Sequence, residues 1–235
     1  MTDLVYPLGK GSLYKDFELR MSLRSVCSRL RNVRDIYIIG ERPPWIHSVT
    51  HIPFADQHKI TDHNIMDKIA AACRTESISD TFLMMNDDHY FQHNFEADKF
   101  PYFYNKTMAE YLGNRRSEDA YKARVKNSFE YLQAKELPTK FFDIHYPILY
   151  NKSAFLEHVV GALEWTNTKG YVLKSVYANA MKIEGVKIAD YKSQQPPPKT
   201  APVFSSLPYM KAAFQRTLIE MFPEKCKFET DEPGY

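Results

Sequence analysis

Apolar and polar positions along this chain change period several times, and the changes mark out a fold class. DLVYPLG (3–9) is an apolar run stopped by Pro7 and Gly9, the pattern of a short buried strand. Leu19, Leu23, Val26 and Leu30 then recur at spacings of four, three and four, which predicts one face of a helix. DIYIIG (35–40) predicts a second strand, closed by Gly40 and the Pro43–Pro44 break, and HIPF (51–54) a third. Asp62 stands where a helix cap belongs, ahead of the apolar face Ile65, Ile69 and Ala72. TFLMM (81–85) is too continuously apolar for a sheet with one wet face. The order β-α-β-β-α-β predicts an α/β sandwich whose mostly parallel sheet is covered on both sides.

The second half predicts more helix. Tyr121, Val125 and Leu132 fall at near-helical spacing within 117–134, and TKFFDIHYPILY (139–150) reads as extended. Helices are expected at 152–165 and 171–182, followed by a proline-rich connector, SQQPPPKTAP (193–202). Ser206 and Pro208 read as the cap and first residue of a last helix, with Leu207, Met210, Phe214, Leu218 and Met221 on its apolar side. The expected organisation is an α/β core over 1–150 and a helical extension over 151–235, packed on the core as one unit.

Composition narrows the classes. With 235 residues, 44% of them hydrophobic, the chain can build a large core, and disorder is excluded. A formal charge of +2 demands no polyanionic partner. The charge is nonetheless clustered: Arg20, Arg24, Arg29, Arg31 and Arg34 in one stretch, and Arg115, Arg116, Lys122, Arg124 and Lys126 in another. Such clusters serve either as phosphate contacts or as solvated helix faces. Three scattered cysteines, no leader-like N-terminus and no apolar run near the ~20 residues that cross a bilayer lead to the expectation of a soluble cytoplasmic protein.

The candidate chemistry begins at FLMMNDDHYF (82–91), where an apolar strand runs into Asn86, Asp87 and Asp88. In open α/β sheets ligands bind beyond the carboxyl ends of the strands. Adjacent carboxylates repel unless water or a cation separates their charge. Side chains alternate along extended backbone, so one aspartate is expected to ligate a metal and the other to orient water or a hydroxyl. A Mg²⁺-type site needs only one or two carboxylates with waters and substrate phosphate. Asn-Asp-Asp is equally the composition of an ordinary solvated turn.

Together with ELRMSLRSV (18–26), DIYIIGERPPWI (35–46), DHNIMDKIAAAC (62–73) and IHYPILYNKSAF (144–155), this block resembles the Stealth family. Its members are bacterial capsule hexose-1-phosphate transferases and their eukaryotic relative, the lysosomal-enzyme GlcNAc-1-phosphotransferase. The resemblance runs over about 3–155 and implies a GT-A-like α/β/α sandwich with a DxD-like metal site, binding Mn²⁺ or Mg²⁺ and a nucleotide-diphosphate sugar. It also departs from the family. Where the family's first strand runs on into Thr-Trp-Val-Asp-Gly, this chain has Gly9, Lys10 and Gly11. Without that aspartate, glycosyl transfer to an acceptor hydroxyl is favoured over sugar-phosphate transfer.

On this reading Asp88 holds the metal with His145, which stands two residues from Asp143 on extended backbone, and Asp87, Asp143 and His145 are the catalytic candidates. Gly9, Lys10 and Gly11 cradle the diphosphate, with Arg20, Arg24, Lys68 and Lys174 adding charge. Asp62 and Asn64 open the helix before the metal strand, and Tyr6 either stacks on the base or is a core tyrosine. The expected acceptor is a carbohydrate or another hydroxyl. A nucleic-acid-binding protein, or a transferase acting on modified DNA bases, is the alternative suggested by the basic clusters and by Tyr102, Phe103 and Tyr104.

Overall fold

The structure is a computed structural model that describes residues 1–10, 12–114, 119–166 and 169–230. Gly11, Arg115 and Arg116 lie outside the described residues. The chain runs β1 (Thr2–Leu8), α1 (Phe17–Arg29), β2 (Val33–Gly40), β3 (Thr50–Ile52), α2 (Thr61–Arg74) and β4 (Thr81–Met84). β5 (His89–Phe91), α3 (Ala120–Ala134), β6 (Ile148–Asn151) and α4 (Leu173–Ala180) follow. β7 (Lys192–Ser193), β8 (Val203–Ser206) and α5 (Ala212–Met221) complete the elements that bear on the site. The five-stranded sheet has the order β6-β4-β1-β2-β3, parallel throughout except for the antiparallel edge β6.

Alternation along the central strands builds two cores, one on each face. Leu4, Tyr6 and Leu8 of β1, Ile36 and Ile38 of β2 and Leu83 of β4 pack with Leu19, Leu23 and Val26 of α1. Val5, Tyr37, Ile39, Phe82 and Met84 point the other way, onto Met66, Ile69 and Ala70 of α2. A sheet buried on both faces has no wet side, which is why these strands read as continuous apolar runs. Tyr6 is therefore a core residue, with no exposed surface and its hydroxyl 3.1 Å from that of Ser22; it is out of reach of a base. Gly40, at the end of β2, has φ +120°, and a Cβ there would sit 1.9 Å from the Leu8 carbonyl oxygen. Only glycine lets β2 end against the end of β1.

Three expectations are corrected. Ser206 does not cap a helix. It ends β8, which pairs antiparallel with β5, and the last helix starts at Ala212 with Phe214 and Leu218 buried. Burial of Tyr90 against Phe204 holds that pairing, and tertiary contact here overrides the Ser-Pro cap signal. Asp62 lies inside the first turn of α2, whose cap position is Ile60, and its carboxylate pairs with Arg124. The helix expected over 152–165 is short, an α-turn (Lys152–Phe155) continued by a π-helical stretch (Leu156–Val160). No helix among the described residues is long and apolar enough to cross a membrane.

Candidate functional site

Strand order reverses at β1, with β2 and β3 on one side and β4 on the other. The crevice beyond the carboxyl ends of β1 and β4 is the topological switch point, where α/β sheets of this kind bind ligands. Gly9 and Lys10 leave β1 there, and Asn86, Asp87 and Asp88 leave β4. The turn at Asn86 is fixed from within: its N–H donates to Nδ1 of His89 at 3.1 Å, and the His89 N–H returns to the Asn86 carbonyl at 3.3 Å. His89 is fully buried, and burial together with the charges of Lys174, His145 and Lys192 pushes its imidazole well below the usual range, so it is neutral. It shapes the turn.

Two clefts of about 290 and 310 Å³ meet at Asp87, sharing Gly9, Lys10 and Ser12. Asp16 lines the first, and Glu18, Asp88 and Ser206 line the second. Ser12 organises the approach: its hydroxyl accepts from the Asp16 N–H at 2.7 Å and donates to Glu18 at 3.0 Å. Pairing of β8 with β5 sets Ser205 opposite His89, from where its hydroxyl donates to Asp88. Asp87 has its carboxyl pushed up to about 7, first by burial and then by the neighbouring charges of Asp88, Glu18 and Asp16. Burial also raises Glu18 and Asp16. Four acids crowd one rim, opposite the exposed Lys10, which lies 3.6 Å from Glu41.

A third cleft, about 200 Å³, runs from Asp87 and Asn86 to the N-terminal turn of α2, past Gly9, Thr61, Asn64 and Lys68. Lys68 is buried and donates to Asp56 at 2.5 Å. A helix N-terminus and a lysine both favour an anion here. Asn64 faces the preceding loop instead, accepting from the Gln57 and His58 N–H groups at 2.9 and 2.8 Å.

Asn86 is also part of the wall of a larger cavity, about 550 Å³, lined by Asp62, Tyr111, Tyr121, Asp143, His145, Lys174, Asp190 and Lys192 among others. The His145 ring stands between two partners. Nδ1 lies 2.9 Å from Asp190 Oδ2, and Nε2 lies 3.0 Å from the Lys192 ammonium. A lysine ammonium only donates, so Nε2 accepts and the ring hydrogen is on Nδ1, pointing at the carboxylate. Asp190 also accepts the His145 N–H at 3.0 Å. Burial works to raise the Asp190 carboxyl, but the His145 contacts outweigh it and hold it below the usual range. Lys174 is buried, donating to the Ile144 and Tyr146 carbonyls at 2.9 and 2.7 Å, and so clamps the backbone on either side of His145. Asp143 accepts from Tyr121, and burial pushes the Asp62 carboxyl up to about 6, opposed by Arg124 and reinforced by Asp143.

Several expected pairings are not made. His145 and Asp88 line different cavities, and both ring nitrogens of His145 are already engaged, so the two do not share a coordination sphere. Arg24 is committed to the C-terminal segment, and Arg20, whose charge also acts on Asp16, is held beside the same Glu229. Arg24 forks onto the buried Glu229 with two bonds of 2.8 Å, while Arg20 lies 3.5 Å from the same carboxylate and 4.0 Å over the Trp45 ring. Arg34 pairs with Asp3 and Arg124 with Asp62, so much of the basic clustering is spent in internal ion pairs. Lys192, Ser205 and Glu229 reach their partners across 47, 117 and 205 positions, which no local pattern records, and Asp56 meets Lys68 across 12 positions, from a loop with no motif of its own. Compared with known proteins, the chain matches no protein-family model and no curated protein.

Proposed function

We propose that the protein is a metal-dependent glycosyltransferase that moves a sugar from a nucleotide-diphosphate donor to an acceptor hydroxyl. The observation that carries this reading is the crowding of Asp87, Asp88, Glu18 and Asp16 at the switch point, with Asp87 pushed up to about 7. Carboxylates crowded in this way fit a hard divalent cation that keeps most of its water and meets substrate phosphate. Asp87 and Asp88 would hold Mn²⁺ or Mg²⁺, whose charge offsets that of the departing diphosphate. The strand order 3-2-1-4 with an antiparallel edge supports a GT-A-like arrangement, in keeping with the Stealth resemblance.

Gly9, Lys10 and Lys68 surround the path for the diphosphate, whose negative charge the α2 N-terminus also favours. In the larger cavity His145 acts as general base. Asp190 fixes the ring with its hydrogen on Nδ1, leaving Nε2 to take the acceptor's proton once Lys192 turns to substrate. Three lysines in that cavity, Lys106, Lys174 and Lys192, favour a second reading, hexose-1-phosphate transfer.

Calorimetric titration of UDP, GDP and CDP, with and without Mn²⁺, into wild type and Asp88→Asn tests the proposal. Manganese-dependent binding of one nucleotide, lost in the variant, is expected; no binding with any nucleotide and metal would overturn it. Release of nucleoside diphosphate marks glycosyl transfer, and release of monophosphate marks the second reading.

A further inference from the structure

Away from the acidic rim, three side chains with metal-binding chemistry meet where the chain enters α2. His63 and Asp67 are four residues apart on that helix, the spacing that stacks two side chains on one face. His58 approaches from the loop before it. Their ligand atoms all lie within 4.8 Å of one another, the one such group of three among the described residues. The His58 and His63 rings are stacked, with centroids 3.5 Å apart and planes 3° apart, and His58 Nε2 is 2.9 Å from Asp67 Oδ2. Among the described residues, His63 Nδ1 is buried with no hydrogen-bond partner.

We propose that His58, His63 and Asp67 bind a divalent transition ion of the zinc class. Two imidazoles and one carboxylate make an N₂O set, which suits Zn²⁺, Co²⁺, Ni²⁺ or Cu²⁺ and discriminates against Mg²⁺. With three protein ligands, water fills the fourth position, and all three residues are partly open to solvent. The ion takes the place of the hydrogen between His58 Nε2 and Asp67, the His58 hydrogen moves to Nδ1, and the His63 ring turns out of its stack on His58 so that a nitrogen lone pair faces the ion.

The loop is held ready for this. Asn64 accepts from the Gln57 and His58 N–H groups and donates to the His58 carbonyl at 2.7 Å, so its amide fixes the backbone that carries His58. The same loop carries Asp56, the partner of Lys68 in the cleft beside Gly9. An ion at this position pins the β3–α2 loop to α2 and, through Asp56, the lysine of that cleft. The proposal does not depend on the transferase reading, since none of its three ligands lines the acidic rim.

Trp165 supplies a reporter, its ring centroid 5.1 Å from that of His63. The test titrates Co²⁺ into the chelator-treated full chain, in excess Mg²⁺ and in the Asp88→Asn background to silence the carboxylate rim. One Co²⁺ per chain is expected, with visible d–d absorption, quenching that Trp165→Phe removes, and displacement by Zn²⁺. His58→Ala and His63→Ala each weaken binding by more than about 100-fold and Asn64→Ala by about 10- to 100-fold, given what loss of a supporting partner alone costs. Far-UV circular dichroism checks each variant, and if a histidine variant fails to fold, the isosteric Asp67→Asn carries the test with the same expected loss. Absence of Co²⁺ binding, or binding that the variants leave unchanged, overturns the proposal.

Discussion

Replacing Asp87 by asparagine is expected to make the protein more stable while abolishing Mn²⁺ or Mg²⁺ binding at the acidic rim. The ordinary aspartate value of 3.8 rises to about 7 at this position, which means the folded state disfavours the ionised form. About three pH units at about 1.4 kcal/mol each is on the order of 4 kcal/mol. Part of that strain comes from the neighbouring charges of Asp88 and Glu18, and solvent reaches the half-buried carboxylate. A gain of about 2 kcal/mol is the expected outcome, or about 4–8 °C in Tm for a chain of this length. The sign follows from linkage: the penalty is absent below the unfolded value, grows as pH rises and is complete above about 7. Thermal unfolding in chelator should therefore separate variant from wild type at about pH 8.5 and bring them together near pH 4. Equal or lower stability of Asp87→Asn at the higher pH, or the same gain at both, refutes the reasoning. Added Mn²⁺ should stabilise wild type alone.

Other outcomes follow from the same contacts. Mn²⁺ affinity of the wild type, followed by calorimetry, should fall about tenfold per pH unit below about 7 as Asp87 holds its proton, and level off above. Arg24→Ala should destabilise the fold by about 3 kcal/mol in urea unfolding, because it strips the fork from a fully buried carboxylate. Arg24→Lys should recover little of that, since an ammonium cannot reproduce two parallel bonds. His145→Ala and Asp190→Asn should each lower kcat by about 10²- to 10⁴-fold with donor KM nearly unchanged, the effect of losing a general base or its orientation. Equal loss of donor binding in calorimetry would assign them to the donor site instead. Gly40→Ala should unfold the chain more readily by about 1–3 kcal/mol or more, read from its urea midpoint, because of its positive φ and the contact with Leu8.

Much of the frame was legible in the residue pattern. DLVYPLG, DIYIIG and TFLMM carry no wet face, and each became a strand buried on both sides, because continuous apolar runs of that length have no other place to go. The position of Asn86, Asp87 and Asp88 past the end of a central strand followed from the same run. Ser206 and Pro208 misled because a local cap signal of about 1 kcal/mol lost to the burial of Phe204 against Tyr90, Phe214 and Leu218.

What the chain determined by itself was therefore periodic and local: the layered α/β class, the buried strands, and the acidic turn at the end of β4. Partnership came only with tertiary structure. Arg24 meets Glu229 across 205 positions, His145 meets Asp190 across 45, and Ser205 meets Asp88 across 117. Two arginines four apart on a helix look alike whether they face phosphate or a buried glutamate. A histidine on extended backbone looks alike whether it faces a metal or a carboxylate. Local sequence sets which chemistry a side chain carries, and the packing of distant segments sets the charge that meets it, since electrostatic partners need only be near in space.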